Sequence, residues 1–553
     1  MRTLLSKTLW AWVAALAMVA YSSCQKVEIV ESTTTDVNMY DFLLKNGKTY
    51  SEWAKVLDRT GNAGFLNAYG AYTMFAPTND AVKGYLAQVG KPTVNDVDLD
   101  QLKNLVRFHL IQDTIGTSNF KDGKLPTITM LGQYLITGVL NKDGVSRYEV
   151  NRQALVMQPN VICGNGIVHG LNQVLIPASK TLAQLIEADP DYSVFTQALK
   201  ATGFYDRLNV VDADTSKRFM SVIAETNKAL QDSGIVSYDA LRRKYSQTGN
   251  PAATNDGLYL YVAYHIMPDA RYLADIITAP SHPTRAPLEV LTSKLDGQTV
   301  LINEIEFNGN LEKGVALNRI KSDISATNGV LHSATAHFSI KVRTPVATYW
   351  DVADFPEIRK LPSFFRKQTY NFELGSLKDF TWEKGALTYT YTTASNFPVY
   401  WNDYLQIPLG LTNTARNRWV EMKTPLLVKG RYKVWVCYRQ QKASNNNPPF
   451  PTQVSFRGEP MSRLLNFDEG APSGTDGELE ALGWKRYMEV SNGLYCGRLL
   501  GTIDVPTTDR HTIRMEAITG AGQNQNNLDM IHFIPVNMPQ IRPLFKRDGG
   551  LIP

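Results

Sequence analysis

The sequence is poor in the features that mark an enzyme or a membrane-spanning protein. It has no P-loop, no dinucleotide fingerprint, no Gly-x-Ser-x-Gly elbow and no His-Glu-x-x-His. Nucleotide chemistry, hydrolase-elbow chemistry and zinc peptidase chemistry therefore lose their sequence basis. Only 4 cysteines occur in 553 residues, with no Cys-x-x-Cys and no clustered His/Cys set, so no zinc site is legible. Long blocks of like charge are missing, and the net charge of +5 is spread over interspersed signs, which gives no case for nucleic acid. No apolar run reaches the roughly 20 residues that cross a bilayer.

What is present begins at the N-terminus. Arg2 and Lys7 precede an apolar run from Leu9 to Ala20 that ends at Tyr21-Ser22-Ser23-Cys24. A short basic region, a short apolar stretch and small residues before a cut describe a secretory signal. Cysteine directly after two serines resembles a bacterial lipobox, which implies acylation of Cys24 and anchoring to the outer membrane; a plain signal peptide with an incidental Cys24 is the alternative. Residues 1–23 are then the signal and 24–37 a polar tether. Cys163 stands apart, while Cys437 and Cys496 are either a bridge or two buried thiols.

The chain is too long for one core, and an internal repeat organises its first part. Tyr50 to Leu57 is echoed by Tyr192 to Leu199, Thr73 to Val82 by Ser221 to Leu230, Leu105 to Ile111 by Tyr261 to Met267, and Asn165 to His169 by Asn328 to His332. The order is the same in both copies. Met74-Phe75-Ala76 reads as the end of a buried strand, with Thr78 or Asn79 capping a helix from near Asp80. Leu102 to Leu110 has helical spacing, and Asn165-Gly166 is a hairpin turn leading into a strand. His109, His169, His265 and His332 fall at matched positions and read as core histidines bonded through both ring nitrogens.

These boxes resemble the fasciclin family: Thr73 to Ala81, the Phe108-His109 pair, and Asn165 to His169 followed by Val174 to Pro177. The resemblance implies α+β domains at 38–178 and 179–343. The second copy departs from it, with Glu225 in place of the proline and Lys228 in place of the aspartate. Fasciclin domains elsewhere imply cell adhesion.

From about Thr344 the pattern turns to short alternating strands, as in Gly430 to Arg439 and His511 to Met515, which predicts an all-β jelly-roll sandwich. We assign 344–369 to a linker, 370–540 to the sandwich and 541–553 to a tail. Trp419 to Pro425 with Gly430-Arg431-Tyr432, His511 to Arg514, and Asn526 to Ile531 resemble family-6-like carbohydrate-binding modules and their galactose-binding-like relatives. That resemblance implies a glycan ligand and a structural calcium, whose acidic opening strand is matched only at Phe372-Glu373; no other cofactor is called for. Sugar recognition needs an aromatic face and amide or carboxylate groups. Trp435 and Trp419 read as core, and Trp484, Asn527, Asp529 and Tyr404 are the candidate ligand residues. Glu304 and Glu306 alternate along a strand and read as solvated charges rather than a glycosidase pair. No catalytic residue is assigned. The expected role is non-catalytic binding at the cell surface, as an accessory to a TonB-dependent glycan transporter and its lid lipoprotein, with adhesion as the alternative.

Overall fold

The computed structural model describes residues 37–68, 70–142, 144–307, 310–441, 450–490, 494–520 and 525–553. The signal, Cys24 and the tether lie outside the described residues, apart from Val37. The described residues form two compact units, divided after Pro177.

In the first unit, helices α1 (Met39–Lys45) and α2 (Gly47–Arg59) precede strand β1 (Tyr72–Pro77). Helices α3 (Asn79–Gln88) and α4 (Leu99–Phe108) follow, then β2 (Leu110–Ile111), β3 (Gly123–Lys124), β4 (Ile136–Lys142), β5 (Val145–Val150), β6 (Ala154–Cys163) and β7 (Gly166–Leu171). One seven-stranded sheet runs in the order β2-β1-β7-β6-β5-β4-β3, with β1 parallel to β7. The apolar face of α2 buries Tyr50, Trp53 and Leu57 against this sheet's helical layer, and each such side chain contributes about 1.5–3 kcal/mol.

The first box works as two caps. Thr78 accepts from Ala81 N and starts α3, while Asn79 Oδ1 accepts from Glu52 N at 2.8 Å and ties α2 to it. Asn165 is more than a turn residue. Its Oδ1 accepts from Met39 N at 2.9 Å, and its Nδ2 donates to Leu66 O and Ala68 O. Beside it, Gly166 has φ +141°, and a Cβ there would lie 1.9 Å from Tyr72 O. A side chain at this position meets both backbone strain and overpacking, so Gly166→Ala is expected to cost about 2–4 kcal/mol. The measurement is a shift to lower urea of the transition of the first unit, and an unchanged midpoint would refute it.

The second unit repeats the scheme with α5 (Leu182–Ala188), α6 (Ser193–Ala201), β8 (Met220–Glu225), α7 (Asn227–Gln231), α8 (Gly257–Tyr264) and β9 (Ile266–Met267). Strands β10 (Val290–Asp296), β11 (Thr299–Ile302), β12 (Ile324–Ala326) and β13 (Gly329–Ala334) complete this domain. Asn328 accepts from Leu182 N at 2.9 Å and donates to Leu208 O and Val210 O, repeating the part of Asn165. The long sheet of the first copy is divided here: β12-β13-β8-β9 form one sheet, and β10 and β11 belong to another.

The same unit continues into a β-sandwich. Its strands include β14 (Thr348–Asp351), β15 (Leu387–Tyr391), β16 (Asp403–Gln406), β17 (Trp419–Leu427), β18 (Gly430–Arg439) and β19 (Pro451–Phe456). After these come β20 (Trp484–Lys485), β21 (Tyr495–Val505), β22 (Asp509–Ala517) and β23 (Asn527–Pro535). An eight-stranded sheet carries β15-β16-β23-β18-β21-β20, with β14 paired to β23; a six-stranded sheet carries β17-β22-β19. Alternation along β18 sends Val434, Val436 and Tyr438 into the core between the sheets.

Three expectations are corrected here. Residues 344–369 are not a linker: β14 pairs with β23, and Trp350, Phe355, Ile358 and Phe364 are core residues of the sandwich. Residues 541–553 are not a loose tail, because Leu544–Phe545 and Leu551–Ile552 form a hairpin that buries Phe545. Trp419 is half-buried rather than core, with the Arg514 guanidinium over its ring at 4.4 Å. Cys437 and Cys496 are free thiols. Cys437 faces Gly497 across the ladder while Cys496 faces Tyr438, one register step away, so the two point to opposite faces of the sheet.

Candidate functional site

The matched histidines are structural. His109 Nδ1 donates to Leu105 O at 2.8 Å, and its Nε2 accepts from Leu175 N at 3.0 Å. Burial carries its pKa down to about 4, so the ring is neutral and fits this donor–acceptor pattern. His265 keeps the first bond, to Tyr261 O, but its Nε2 meets Glu225 Oε1 at 3.0 Å. Glu225 also accepts from His337 Nδ1, Tyr261 OH and Phe338 N. Where the first copy closes directly from histidine to backbone, the second inserts a carboxylate.

The four sequence-derived ligand residues are all interior, which corrects their assignment. Trp484 lies on β20 with the Arg498 guanidinium over its ring at 4.4 Å. Asn527 opens β23 and is buried. Tyr404 stacks on Phe397 at 5.0 Å in a second, smaller core. Asp529 sits where the β18–β23 register shifts, between the Cys437/Met530 and Tyr438/Leu528 pairs. Such a bulge re-aims a side chain, and Asp529 Oδ2 accepts from Tyr487 OH at 2.7 Å and Tyr400 N at 3.1 Å. Their chemistry suits sugars, but the bulge turns Asp529 inward and the Arg498 guanidinium covers the Trp484 ring on its edge strand.

Buried acids occur on strands other than the Phe372-Glu373 strand expected to carry calcium. Asp351 closes β14, Asp403 opens β16 and Asp529 lies on β23; each is buried and keeps one carboxylate oxygen without a hydrogen-bond partner. Oxygen donors suit calcium, yet among the described residues no three such groups converge to hold a metal ion, so the calcium does not fit here. Burial raises all three carboxyls, Asp403 to about 7, and favours their uncharged forms. Glu373 follows the short strand Tyr370–Phe372, which pairs with β15.

An open site lies elsewhere in the second unit, between the repeat domain and the sandwich. It is a cleft of about 680 Å³, within the range of ligand pockets. One wall carries Lys294, Glu304 and Glu306; the other carries Asp351, Tyr400 and Trp401. The charges of the wall are largely paired. Lys294 bonds Glu304, Arg359 bonds Asp354 at 2.7 Å, Arg510 bonds Asp379 at 2.9 Å, and Ser281 Oγ donates to Asp509 at 2.8 Å. Glu304 and Glu306, read from the sequence as solvated, both face this cleft.

Trp401 is held in place by its surroundings. It and Asn402 have φ +51° and +62°, two successive left-handed residues without glycine. The Arg366 guanidinium lies over its ring at 4.1 Å, and Gly549 leaves room for the indole, since a Cβ there would come 1.9 Å from Cζ2. Backbone strain of this kind persists only where the surroundings over-determine it, and it clusters at ligand sites.

Ser293 also lines the cleft, and His282 Nε2 lies 3.0 Å from its Oγ. The pair looks like a nucleophile and its base. Arg271, however, donates to His282 Nδ1 at 2.8 Å, so the ring proton sits on Nε2 and cannot be exchanged for the serine proton. Burial and the Arg271 charge lower the histidine pKa further. The arrangement is a hydrogen-bonded strut.

Comparison with known proteins gives a consistent picture of the repeat. Residues 48–177 and 190–334 match the fasciclin domain model, so the chain carries two fasciclin domains. Protein sll1483 of Synechocystis sp. is 27% identical over 163 residues, 29% of this chain and 87% of that protein. Transforming growth factor-beta-induced protein ig-h3 of Oryctolagus cuniculus is 26% identical over 266 residues, 48% of this chain but only 34% of that protein. Among solved structures, a domain pair from the insect cell adhesion molecule Fasciclin I covers 54% of this chain and 94% of its own, at 18% identity and TM-score 0.24. A family 35 carbohydrate-binding module from Clostridium thermocellum covers 34% of this chain and 98% of its own, at 11% identity and TM-score 0.17. The fold class is thus two α+β fasciclin domains followed by a two-sheet β-sandwich.

Proposed function

We propose, with the two fasciclin domains at residues 48–177 and 190–334 as the premise, that this protein binds at the bacterial surface without catalysing a reaction. The observation that carries the reading is the cleft of about 680 Å³ walled by both the second fasciclin domain and the sandwich. Its aromatic and paired-charge lining suits recognition, and its one serine–histidine contact is blocked for nucleophilic chemistry by Arg271.

The finer reading is an outer-membrane lipoprotein anchored through Cys24, serving as accessory subunit to a TonB-dependent glycan transporter and its lid lipoprotein. The lipobox-like Ser22-Ser23-Cys24 supports the anchor, and the sandwich supports a glycan cargo. The test is affinity purification of the tagged full-length protein from mildly solubilised native membranes, with mass spectrometry of the recovered proteins. Stoichiometric recovery of a barrel transporter and a lid lipoprotein is expected. Recovery of the lipoprotein alone would overturn the importer assignment and favour adhesion through the fasciclin domains.

A further inference from the structure

The cleft of the second unit has a charge pattern that decides what it accepts. Of its lining groups, Glu304, Glu306, Asp351, Asp354 and Asp509 are acidic and Lys294, Arg359 and Arg510 are basic. Every one of these cations already holds a carboxylate: Lys294 with Glu304, Arg359 with Asp354, Arg510 with Asp379. An anionic ligand would have to break one of those pairs and would then face the remaining acids. A cationic ligand has less to gain where the acids are already paired: Asp354 takes Arg359 and Arg366, and Glu304 takes Lys294. What the cleft retains is dense hydrogen-bonding capacity with little net field. Ion-paired carboxylates keep spare lone pairs, and Glu306 is exposed to the cleft.

Beside this polar capacity stands the fixed indole of Trp401, with Tyr349, Tyr400 and Phe355 near it along the same wall. Polar groups that bond hydroxyls, next to an aromatic surface that takes C–H faces, are the combination a sugar ring requires. We propose that this cleft, walled by β10 and Glu304–Glu306 on one side and by Trp401 on the other, binds an uncharged saccharide. The proposal rests on the binding function above and names the ligand class and the residues that carry it. Trp401 supplies the apolar contact, while the exposed Glu306 accepts hydrogen bonds from hydroxyls. The burial of Trp484, Asn527 and Tyr404 leaves these to structural roles.

Affinity electrophoresis of the full-length protein tests this, with native gels containing neutral polymers (galactomannan, xyloglucan, β-glucan) or acidic ones (polygalacturonate, alginate). Retardation by at least one neutral polymer is expected, weakened at least tenfold in Trp401→Ala and several-fold in Glu306→Gln. Trp419→Ala, on the opposite sheet and outside the cleft, should bind as wild type. Should Trp401→Ala fail to fold, Glu306→Gln carries the test, since its side chain is exposed. Retardation by acidic polymers alone would overturn the ligand class while leaving a glycan-binding function. Neutral binding untouched by both cleft variants would overturn the site. Absence of retardation in every gel would overturn the saccharide altogether, whereas the membrane purification separately decides the surface-binding role.

Discussion

Glu225→Ala is expected to destabilise the second fasciclin domain by about 3–5 kcal/mol, the usual loss when one member of a buried charged network is removed. The carboxylate is fully buried, and its two oxygens serve four donors: His265 Nε2, His337 Nδ1, Tyr261 OH and Phe338 N. Deletion leaves all four donors without this acceptor, and each lost partner of a buried group costs about 1–3 kcal/mol before relaxation. Burial alone would raise the carboxyl, but the bonds from His265 and His337 carry it down to about 2 from 4.5. Because the folded value lies below the unfolded one, this stabilisation is fully present above pH 4.5 and is lost as pH falls toward 2. Glu225→Gln keeps acceptor oxygen while losing charge, and should fall between wild type and alanine. Urea unfolding, with hydrogen exchange read on β8 and α8, measures the effect. A loss under about 1 kcal/mol, or equal losses in both variants, would refute the network as the source.

This network also marks the limit of what the sequence made legible. The repeat itself was readable because the parallel β1–β7 pairing needs Gly166, the helix tie needs Asn165, and the two caps need Thr78 and Asn79. Such requirements attach to particular residue types, and they recur at Gly329, Asn328, Thr226 and Asn227. Glu225 read as a plain departure from the family box, since nothing local says that His337, over a hundred residues later, comes within 2.7 Å of it.

The sandwich was legible as a class but not at its ends or its site. Residues 344–369 carry no clean alternation, yet β14 completes the sheet through backbone bonds that any residue supplies. The candidate sugar residues were drawn from correct chemistry, but Asp529 lies at a register shift and Trp484 on a two-residue edge strand, features that follow from the partner strand. The cleft was invisible for a related reason. Trp401, Glu304 and Glu306 come together only because the second fasciclin domain and the sandwich pack as one unit. Nothing in the sequence neighbours of Trp401 singles it out.

The second large effect is expected in Lys485→Met, and it shows as a lost pH dependence. Lys485 lies inside the sandwich, donating to His532 Nδ1 at 2.8 Å and Gln540 O at 3.1 Å with its amine over Trp435 at 4.9 Å. No carboxylate bonds the amine, so burial dominates and lowers its pKa from 10.5 to about 8. The unfolded chain therefore holds this proton more tightly than the folded one across that interval. Stability rises as pH climbs from about 8 toward 10.5, because the cost of burying the ammonium disappears. At about 1.4 kcal/mol per pKa unit, the gain is about 3 kcal/mol. Methionine matches the length of the stem and carries no charge, so the variant should show that much less increase over the same interval. It should also be the more stable form near pH 7, an advantage reduced by about 1–3 kcal/mol for the lost bond to His532 Nδ1. Urea midpoints of both proteins between pH 7.5 and 10, read on the sandwich transition, give the comparison directly. Parallel pH profiles would mean that the amine is solvated or paired in the folded state, and would overturn the reading of Lys485 as a buried, uncompensated cation. A steeper rise in wild type alone would establish it as a site where the fold gives up stability below pH 8 to hold the His532–Gln540 connection together.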